Sequence, residues 1–106
     1  MSYAERSFES RGFDWDEGNF LKNWERHGVG FWECEEVFFN RPLLVSMDAK
    51  HSNREDRRLA LGRTGRNRWL CVVFVMRRDR IRVISARDMS RREKEVYRNE
   101  EQKGDS

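Results

Sequence analysis

One long apolar run dominates the pattern of hydrophobic and polar positions along this chain. Residues 69–76 read WLCVVFVM and have an arginine on each side. The run is rich in β-branched and aromatic side chains, which predicts a strand buried on both faces. The segments on either side of it, residues 57–63 and 80–87, alternate apolar with polar or small residues. Short turn-forming stretches join the three segments, so the pattern predicts an antiparallel meander.

The N-terminal part of the chain has a helical pattern that starts after a short strand. Residues 13–16 alternate apolar and acidic side chains and predict an edge strand. Asp16 is placed to N-cap a helix. Three apolar residues follow at helical spacing and are expected to form its buried stripe: Phe20, Leu21 and Trp24. Gly28 is expected to end this helix in the left-handed conformation.

Two further helices are predicted. The first covers residues 31–39, with apolar residues on one face and glutamates on the other. Pro42 ends it, and residues 43–47 predict a strand that leads into a polar loop. Near the C terminus, Ser90 and Glu93 form a capping box that opens the last helix. The apolar face of this helix is thin, so we expect it to be weakly docked or completed by a partner chain.

These elements predict an α+β fold, in which two N-terminal helices and a C-terminal helix accompany an antiparallel sheet. A chain of 106 residues suits a single domain. We expect a flexible arm over residues 1–12, the domain over residues 13–102 and a disordered tail over residues 103–106. No signal peptide or membrane helix is apparent. Cys34 and Cys71 lack metal-ligand spacing and suit a reducing cytoplasm.

Charge is divided unevenly along the chain. Residues 1–40 contain four Lys or Arg against nine Asp or Glu, whereas residues 41–106 contain eighteen against ten. The basic part is almost entirely arginine, whose planar guanidinium binds phosphate through two parallel hydrogen bonds. A solvated face laced with salt bridges is an equally good interpretation of the composition alone.

Short blocks in a fixed order resemble one protein family, the BrnT toxins. The blocks are FDWD at 13–16, RHGV at 26–29, HS at 51–52, EDR at 55–57, LG at 61–62, GR at 65–66, RIRVISAR at 80–87 and RREKEVY at 91–97. At position 19 the chain has asparagine where the family usually has lysine, and Lys22 lies one turn further on.

The resemblance implies a RelE-like sheet and a ribonuclease of a type II toxin–antitoxin pair. It further implies that RNA is cleaved without metal or any other cofactor, that translation stops, and that a ribbon-helix-helix antitoxin neutralises the toxin. Metal-free cleavage of RNA needs a base for the 2′-hydroxyl, an acid for the leaving oxygen and cations for the phosphorane.

Candidates for these roles follow from the chain. His27 suits a helix end, so its expected role is structural. His51 lies in a polar loop near Glu55 and Arg57, which favours proton transfer, although a solvated loop histidine is an equal alternative. Glu55 is a candidate base, but neighbouring arginines favour a lowered pKa. We therefore expect catalysis dominated by arginine.

Strand alternation ranks the arginines. Arg80 and Arg82 must point away from the face that holds Ile81 and Val83. Strict alternation would place Arg87 on the face of Ile81, so a bulge near Ser85 or the end of the strand must release it.

Arg82 is therefore the first candidate for contact with the transition state. The candidates for binding RNA phosphates, or for salt bridges to the antitoxin, are Arg57, Arg63, Arg80 and Arg87. Val96 and Tyr97 are expected to contact the antitoxin. Two alternatives stay open: a catalytically weak module that only binds antitoxin or RNA, and an unrelated adaptor domain.

Overall fold

The computed structural model describes residues 3–5, 10–47 and 56–104. It contains five strands and three helices: β1 Ala4–Glu5, α1 Lys22–His27, α2 Phe31–Val37, β2 Leu44–Met47, β3 Arg58–Arg63, β4 Trp69–Arg77, β5 Arg80–Asp88 and α3 Arg91–Gly104. The strands form one antiparallel sheet in the order β1-β2-β3-β4-β5. The α+β fold and the meander of the three long strands are confirmed.

The sheet has a hydrophobic core on each face, because β4 is apolar on both. On one face Leu70, Val72 and Phe74 pack with Cys34 and Val37 of α2. We call this the helix-side face. On the opposite face, the far face, three strand residues pack with α3 residue Tyr97: Leu59, Leu61 and Cys71. The sequence predicted that something must cover this second face, and α3 covers one end of it.

A β-bulge interrupts the pairing of β4 with β5. Between the pairs Phe74–Val83 and Val73–Ser85, β5 contains one residue more than β4, Ile84. An extra residue reverses the alternation of everything that follows it. The predicted bulge is confirmed, and the arginine at the end of the strand therefore lies on the far face.

The first helix begins later than predicted. Residues 17–21 form a turn, and α1 starts only at Lys22. Asp16 caps this turn instead of the helix: its carboxylate accepts the Gly18 N–H at 2.8 Å and its carbonyl accepts the Phe20 N–H at 2.9 Å. A local turn that satisfies these amides takes the place of the first helical turn.

The buried stripe predicted for α1 is wrong. Leu21 and Trp24 are 54% and 53% exposed, and Phe20 is exposed as well. The residues that face inward are Asn19 and Asn23, which are 4% and 3% exposed. Helical spacing was therefore present, but the apolar residues occupy the outer side of the helix.

The reason for this reversal lies at the edge of the sheet. β5 is an edge strand, and its outer backbone groups need hydrogen-bond partners when a helix covers them. The Asn19 side-chain amide donates to the Val83 carbonyl at 3.1 Å, and the Asn23 side-chain oxygen accepts the Ala86 N–H at 3.0 Å. Only polar side chains can make these hydrogen bonds, and apolar side chains are therefore excluded from the positions that face β5.

The left-handed end of α1 is confirmed. Gly28 has φ +63° and ψ +28°, and its N–H donates to the Trp24 carbonyl at 3.0 Å. The next N–H, from Val29, donates to Asn23 at 3.1 Å. The bond from Gly28 to Trp24 is the 5→1 bond of the αL C-cap motif, and the left-handed glycine turns the chain so that Val29 enters the core.

The C-terminal helix is more firmly docked than expected. The predicted capping box is present: the Ser90 N–H donates to Glu93 at 2.8 Å and the Glu93 N–H donates to the Ser90 hydroxyl at 3.2 Å. Tyr97 is fully buried, and its hydroxyl donates to the Pro42 carbonyl at 2.6 Å. α3 continues to Gly104, beyond the predicted start of the tail.

The described residues of the N-terminal segment are bound to the sheet, in contrast to the expected loose arm. Ala4 and Glu5 pair with β2. Further along, the Ile81 N–H donates to the Gly12 carbonyl at 2.9 Å, and the Arg11 N–H donates to the Asp79 carbonyl at 2.7 Å. None of these contacts could be predicted from the sequence, because short polar segments carry no periodic signal. No helix in the described ranges is long and apolar enough to span a membrane.

Candidate functional site

Arginines gather on the far face at the end of the sheet that carries the β4–β5 turn. The register places Arg82 opposite Val75 and Arg80 opposite Arg77. Arg57 directly precedes β3, and continued alternation places it on the same face, beside Val75. We call Arg57, Arg77, Arg80 and Arg82 the arginine patch. The shared face predicted for Arg80 and Arg82 is confirmed.

Arg82 is held by two acidic residues from the segment that precedes α1. Its guanidinium makes two hydrogen bonds of 3.0 Å to the Asp16 carboxylate and approaches Asp14 at 3.5 Å. The Arg82 side chain is only 13% exposed. The hydrogen bonds from Arg82 lower the pKa of Asp16, and the same bonds raise the pKa of Arg82. The guanidinium is therefore fixed in position and permanently charged.

Arg87 is also engaged in an ion pair. It pairs with Cys71 on the far face and donates to both oxygens of Glu93, at 2.7 Å and 3.0 Å. Burial by itself raises the pKa of Glu93, but the hydrogen bonds from Arg87 and from the Ser90 N–H outweigh it and hold this pKa at about 2. Arg87 thus fastens α3 to β5.

Arg63 lies far from the arginine patch. It pairs with Trp69, six residues from Val75 along β4, which corresponds to about 20 Å. Its Nε donates to the Arg41 carbonyl at 2.8 Å. The structure therefore does not bring Arg63 together with Arg82, and its proposed contact with RNA needs a long path across the sheet.

The predicted proton-transfer residues, His51 and Glu55, lie outside the described residues. In the described ranges no three His, Cys, Asp or Glu side chains come together as metal ligands. His27 ends α1 at the opposite end of the fold from the patch, where its carbonyl accepts a hydrogen bond from Arg68 at 3.4 Å. Cys34 is buried, and burial raises the pKa of its thiol to about 12, which agrees with a packing role.

The two residues predicted to contact the antitoxin, Val96 and Tyr97, differ in how deeply they are buried. Tyr97 belongs to the core of the free protein, where its side chain is fully buried and not accessible to a partner. Val96 is half-buried and lines a groove of about 490 Å³ between α3 and the sheet, together with Tyr3 and Leu44. Of the pair, Val96 is the side chain that a partner can reach.

Sequence reasoning missed the acidic partners of the arginines. Asp16 and Arg82 are 66 positions apart, and no local pattern links them. A second missed network ties Arg68 to Asp88 at 2.8 Å and to Glu33 at 3.1 Å, and it connects the β3–β4 turn with α2. The two ion-pair networks support the salt-bridge interpretation for these arginines, while Arg80 remains exposed.

Asn19, which stands where the family usually has lysine, has a structural role. The Asn19 amide donates to β5, and its side-chain oxygen accepts the Asp16 N–H at 2.8 Å. Lys22 donates to the carbonyl of the bulge residue Ile84 at 3.1 Å. Both side chains therefore support the edge of β5 behind Arg82.

Comparison with known proteins identifies the family. The family model described as a ribonuclease toxin, BrnT, of type II toxin–antitoxin systems matches residues 15–93. No curated protein sequence matches the chain. The matched range covers well over half of the chain and includes Asp16, the bulge and Arg82. It removes the alternative of an unrelated adaptor domain. The chain belongs to the BrnT family of ribonuclease toxins, whose type II systems pair such a toxin with an antitoxin.

Proposed function

We propose that this protein is a metal-independent endoribonuclease that cleaves RNA at the arginine patch and thereby arrests translation in the cytoplasm. The observation that carries the proposal is that Arg80 and Arg82 share one face of the sheet, where continued alternation also places Arg57, in a chain of a ribonuclease family. Guanidinium groups supply the positive charge that a phosphorane needs, so the proposed reaction does not depend on a metal.

Arg82 is the proposed contact to the scissile phosphate. Its two parallel hydrogen bonds now go to the Asp16 carboxylate, which has the same forked geometry as two non-bridging phosphate oxygens. The Asp16 side chain is 57% exposed, so it can move aside into solvent. We propose that RNA replaces Asp16 on Arg82 and that these bonds strengthen as negative charge develops.

His51 and Glu55 are the proposed proton-transfer groups. They belong to the segment that leads into Arg57, a member of the patch. A base near the 2′-hydroxyl and an acid near the leaving oxygen contribute about a hundredfold or more each. Arg57, Arg63, Arg80 and Arg87 remain proposed RNA contacts, of which Arg80 is the most exposed.

Single-turnover cleavage of RNA at saturating protein tests the role of Arg82. Arg82→Ala should lower the rate about a hundredfold, which corresponds to roughly 3 kcal/mol of transition-state stabilisation. Arg82→Lys keeps the charge but loses the fork, so it should recover part of the rate. Arg66→Ala, an exposed arginine in the β3–β4 turn, is the control and should cleave normally. Cleavage in excess EDTA tests metal independence, and a wild-type rate for Arg82→Ala removes Arg82 from the site.

The second candidate function is a module that binds RNA or antitoxin without cleaving. The bidentate ion pairs of Arg82 and Arg87 favour it, because a guanidinium that is paired with a carboxylate stabilises the fold and is not free to bind a phosphate. Under this alternative, Arg82→Ala chiefly weakens RNA binding and flattens its salt dependence. The single-turnover rate at saturation separates the two functions.

We further propose that a ribbon-helix-helix antitoxin covers the groove at Val96 and places acidic groups near Arg80. The groove offers apolar surface beside α3, and Arg80 is exposed on the same face of the sheet. Val96→Asp combined with Arg80→Glu should weaken the complex with the co-expressed antitoxin. Unchanged affinity of the double variant would contradict this arrangement. Tyr97→Ala is unsuitable as a test because it damages the core.

A further inference from the structure

A basic cavity lies beside the arginine patch, at the end of the β4–β5 hairpin. It has a volume of about 720 Å³ and is lined by Arg11, Asp14, Arg77, Arg78 and Arg80. We call it the hairpin-end cavity. Three of the arginines come from the hairpin itself, and the fourth comes from the N-terminal segment, outside the range that matches the family.

The backbone builds the cavity from both sides. Arg78 and Asp79 form the tight turn, with φ +51° and φ +66°, which directs the arginines of the hairpin around its tip. On the other side, the Arg11 N–H donates to the Asp79 carbonyl at 2.7 Å. Gly12, at φ +117°, accepts the Ile81 N–H at 2.9 Å. Arg11 is thus held against the hairpin by hydrogen bonds at its own position and at the next residue.

The charge of the cavity lining is predominantly positive. The lining contains four arginines and a single acidic residue, Asp14, whose carboxylate already lies 3.5 Å from Arg82. A concave site that collects like charges concentrates the positive potential and attracts anions. Arg11, Arg78 and Arg80 are all exposed, so an anion can approach them from solvent.

We propose that the hairpin-end cavity binds a backbone phosphate of single-stranded RNA, next to the phosphate held by Arg82. This inference rests on the proposed function, and it deepens it by giving the substrate at least two phosphate contacts. Asp14 lines the cavity and also contacts Arg82, so the two sites are neighbours, as consecutive phosphates are. The cavity positions the strand and takes no part in proton transfer or bond cleavage.

Binding of a short 2′-O-methyl oligonucleotide tests the proposal, because this probe keeps its phosphates but cannot be cleaved. Arg11→Ala combined with Arg78→Ala should raise its Kd about tenfold or more at low salt. The slope of log Kd against log salt should fall by about 0.7 for each lost phosphate contact with a single strand. Arg26→Ala combined with Arg66→Ala is the matched control, since it also removes two exposed arginines, neither of which lines the cavity. Its Kd should stay close to that of the wild type.

A second measurement separates this inference from the proposed function. With natural RNA, the Arg11/Arg78 double variant should need about tenfold more protein to reach half of its maximal cleavage rate, because it binds the strand more weakly. If the wild type binds the probe but cleaves no RNA, the proposed function fails while the phosphate site stands. If the double variant binds the probe as the wild type does, the phosphate site is overturned. It is also overturned if the double variant loses only the antitoxin, since the cavity then serves an acidic protein segment.

Discussion

At the scale of single residues, the structure shows that some of the arginines predicted to bind phosphate are already paired with acidic side chains. Alternation along β5 correctly predicted the face that Arg80 and Arg82 share. It could not predict that Arg82 donates to Asp16, because a contact between distant positions has no periodic signature. The same carboxylate that fixes Arg82 competes with phosphate for it, so Asp16 both preorganises the side chain and restrains it.

Asp16→Asn should therefore strengthen RNA binding. An amide carries no negative charge and replaces only part of the forked hydrogen bonding, so a phosphate displaces it more easily than a carboxylate. We expect the Kd for a non-cleavable RNA to fall several-fold. Glu17→Gln, an exposed neighbour with the same change of charge, is the control and should have a much smaller effect. Equal effects of the two substitutions would mean that only net charge matters.

At the scale of elements, strands were easier to predict than helices. β4 and β5 have nine residues each and a clear pattern, whereas α1 has only six residues and its inner side is polar. The short edge strand predicted over residues 13–16 is present only as a single bridge between Phe13 and Ile81. Asn19 and Asn23 face inward because the edge of β5 needs hydrogen bonds, a demand that hydropathy does not record. The consequence is a helix whose most hydrophobic side chains lie outside the core.

In α1, replacing an inner polar residue should therefore destabilise the protein more than replacing an outer hydrophobic residue. Asn23→Ala leaves the buried Ala86 N–H without its acceptor, which costs about 1–3 kcal/mol. Trp24→Ala removes a half-exposed side chain and should cost clearly less. Urea unfolding of both variants measures the two free energies. A larger loss for Trp24→Ala would show that the outer side of α1 is packed more tightly than the structure indicates.

At the scale of the whole molecule, much of the fold could be predicted and little of the site. The apolar run of β4 predicts a sheet covered on both faces, and the capping box correctly places α3. Which side chains meet across the sheet depends on distant parts of the chain, as the pairs Arg82–Asp16 and Arg68–Asp88 show. Arg11 could not be associated with the hairpin for the same reason.

The stability of the whole protein should depend on pH through the Arg87–Glu93 pair, which fastens α3 to the sheet. The pKa of Glu93 falls from 4.5 to about 2 in the folded state. Between these values the unfolded chain binds the proton more readily, so this contribution is complete above about pH 4.5 and disappears as the pH falls to about 2. Glu93→Gln should lower the free energy of unfolding at pH 7 and converge with the wild type near pH 2.

Urea unfolding across this pH range provides the measurement. Glu95→Gln, an exposed acid on the same helix, is the control and should follow the wild-type curve. A constant difference between Glu93→Gln and the wild type at every pH would contradict the assignment, because it would show that the carboxylate charge is not the cause.

The bulge at Ile84 makes the length of β5 a constraint in its own right. Arg82 and Arg87 are five positions apart, an odd interval that an unbroken strand places on opposite faces. The single extra residue restores them to one face. Loss of Ile84 would leave the hydropathy of the strand almost unchanged, yet it would direct Arg87 into the apolar core beneath α2. Between these two arginines, the strand can therefore gain or lose residues only in pairs.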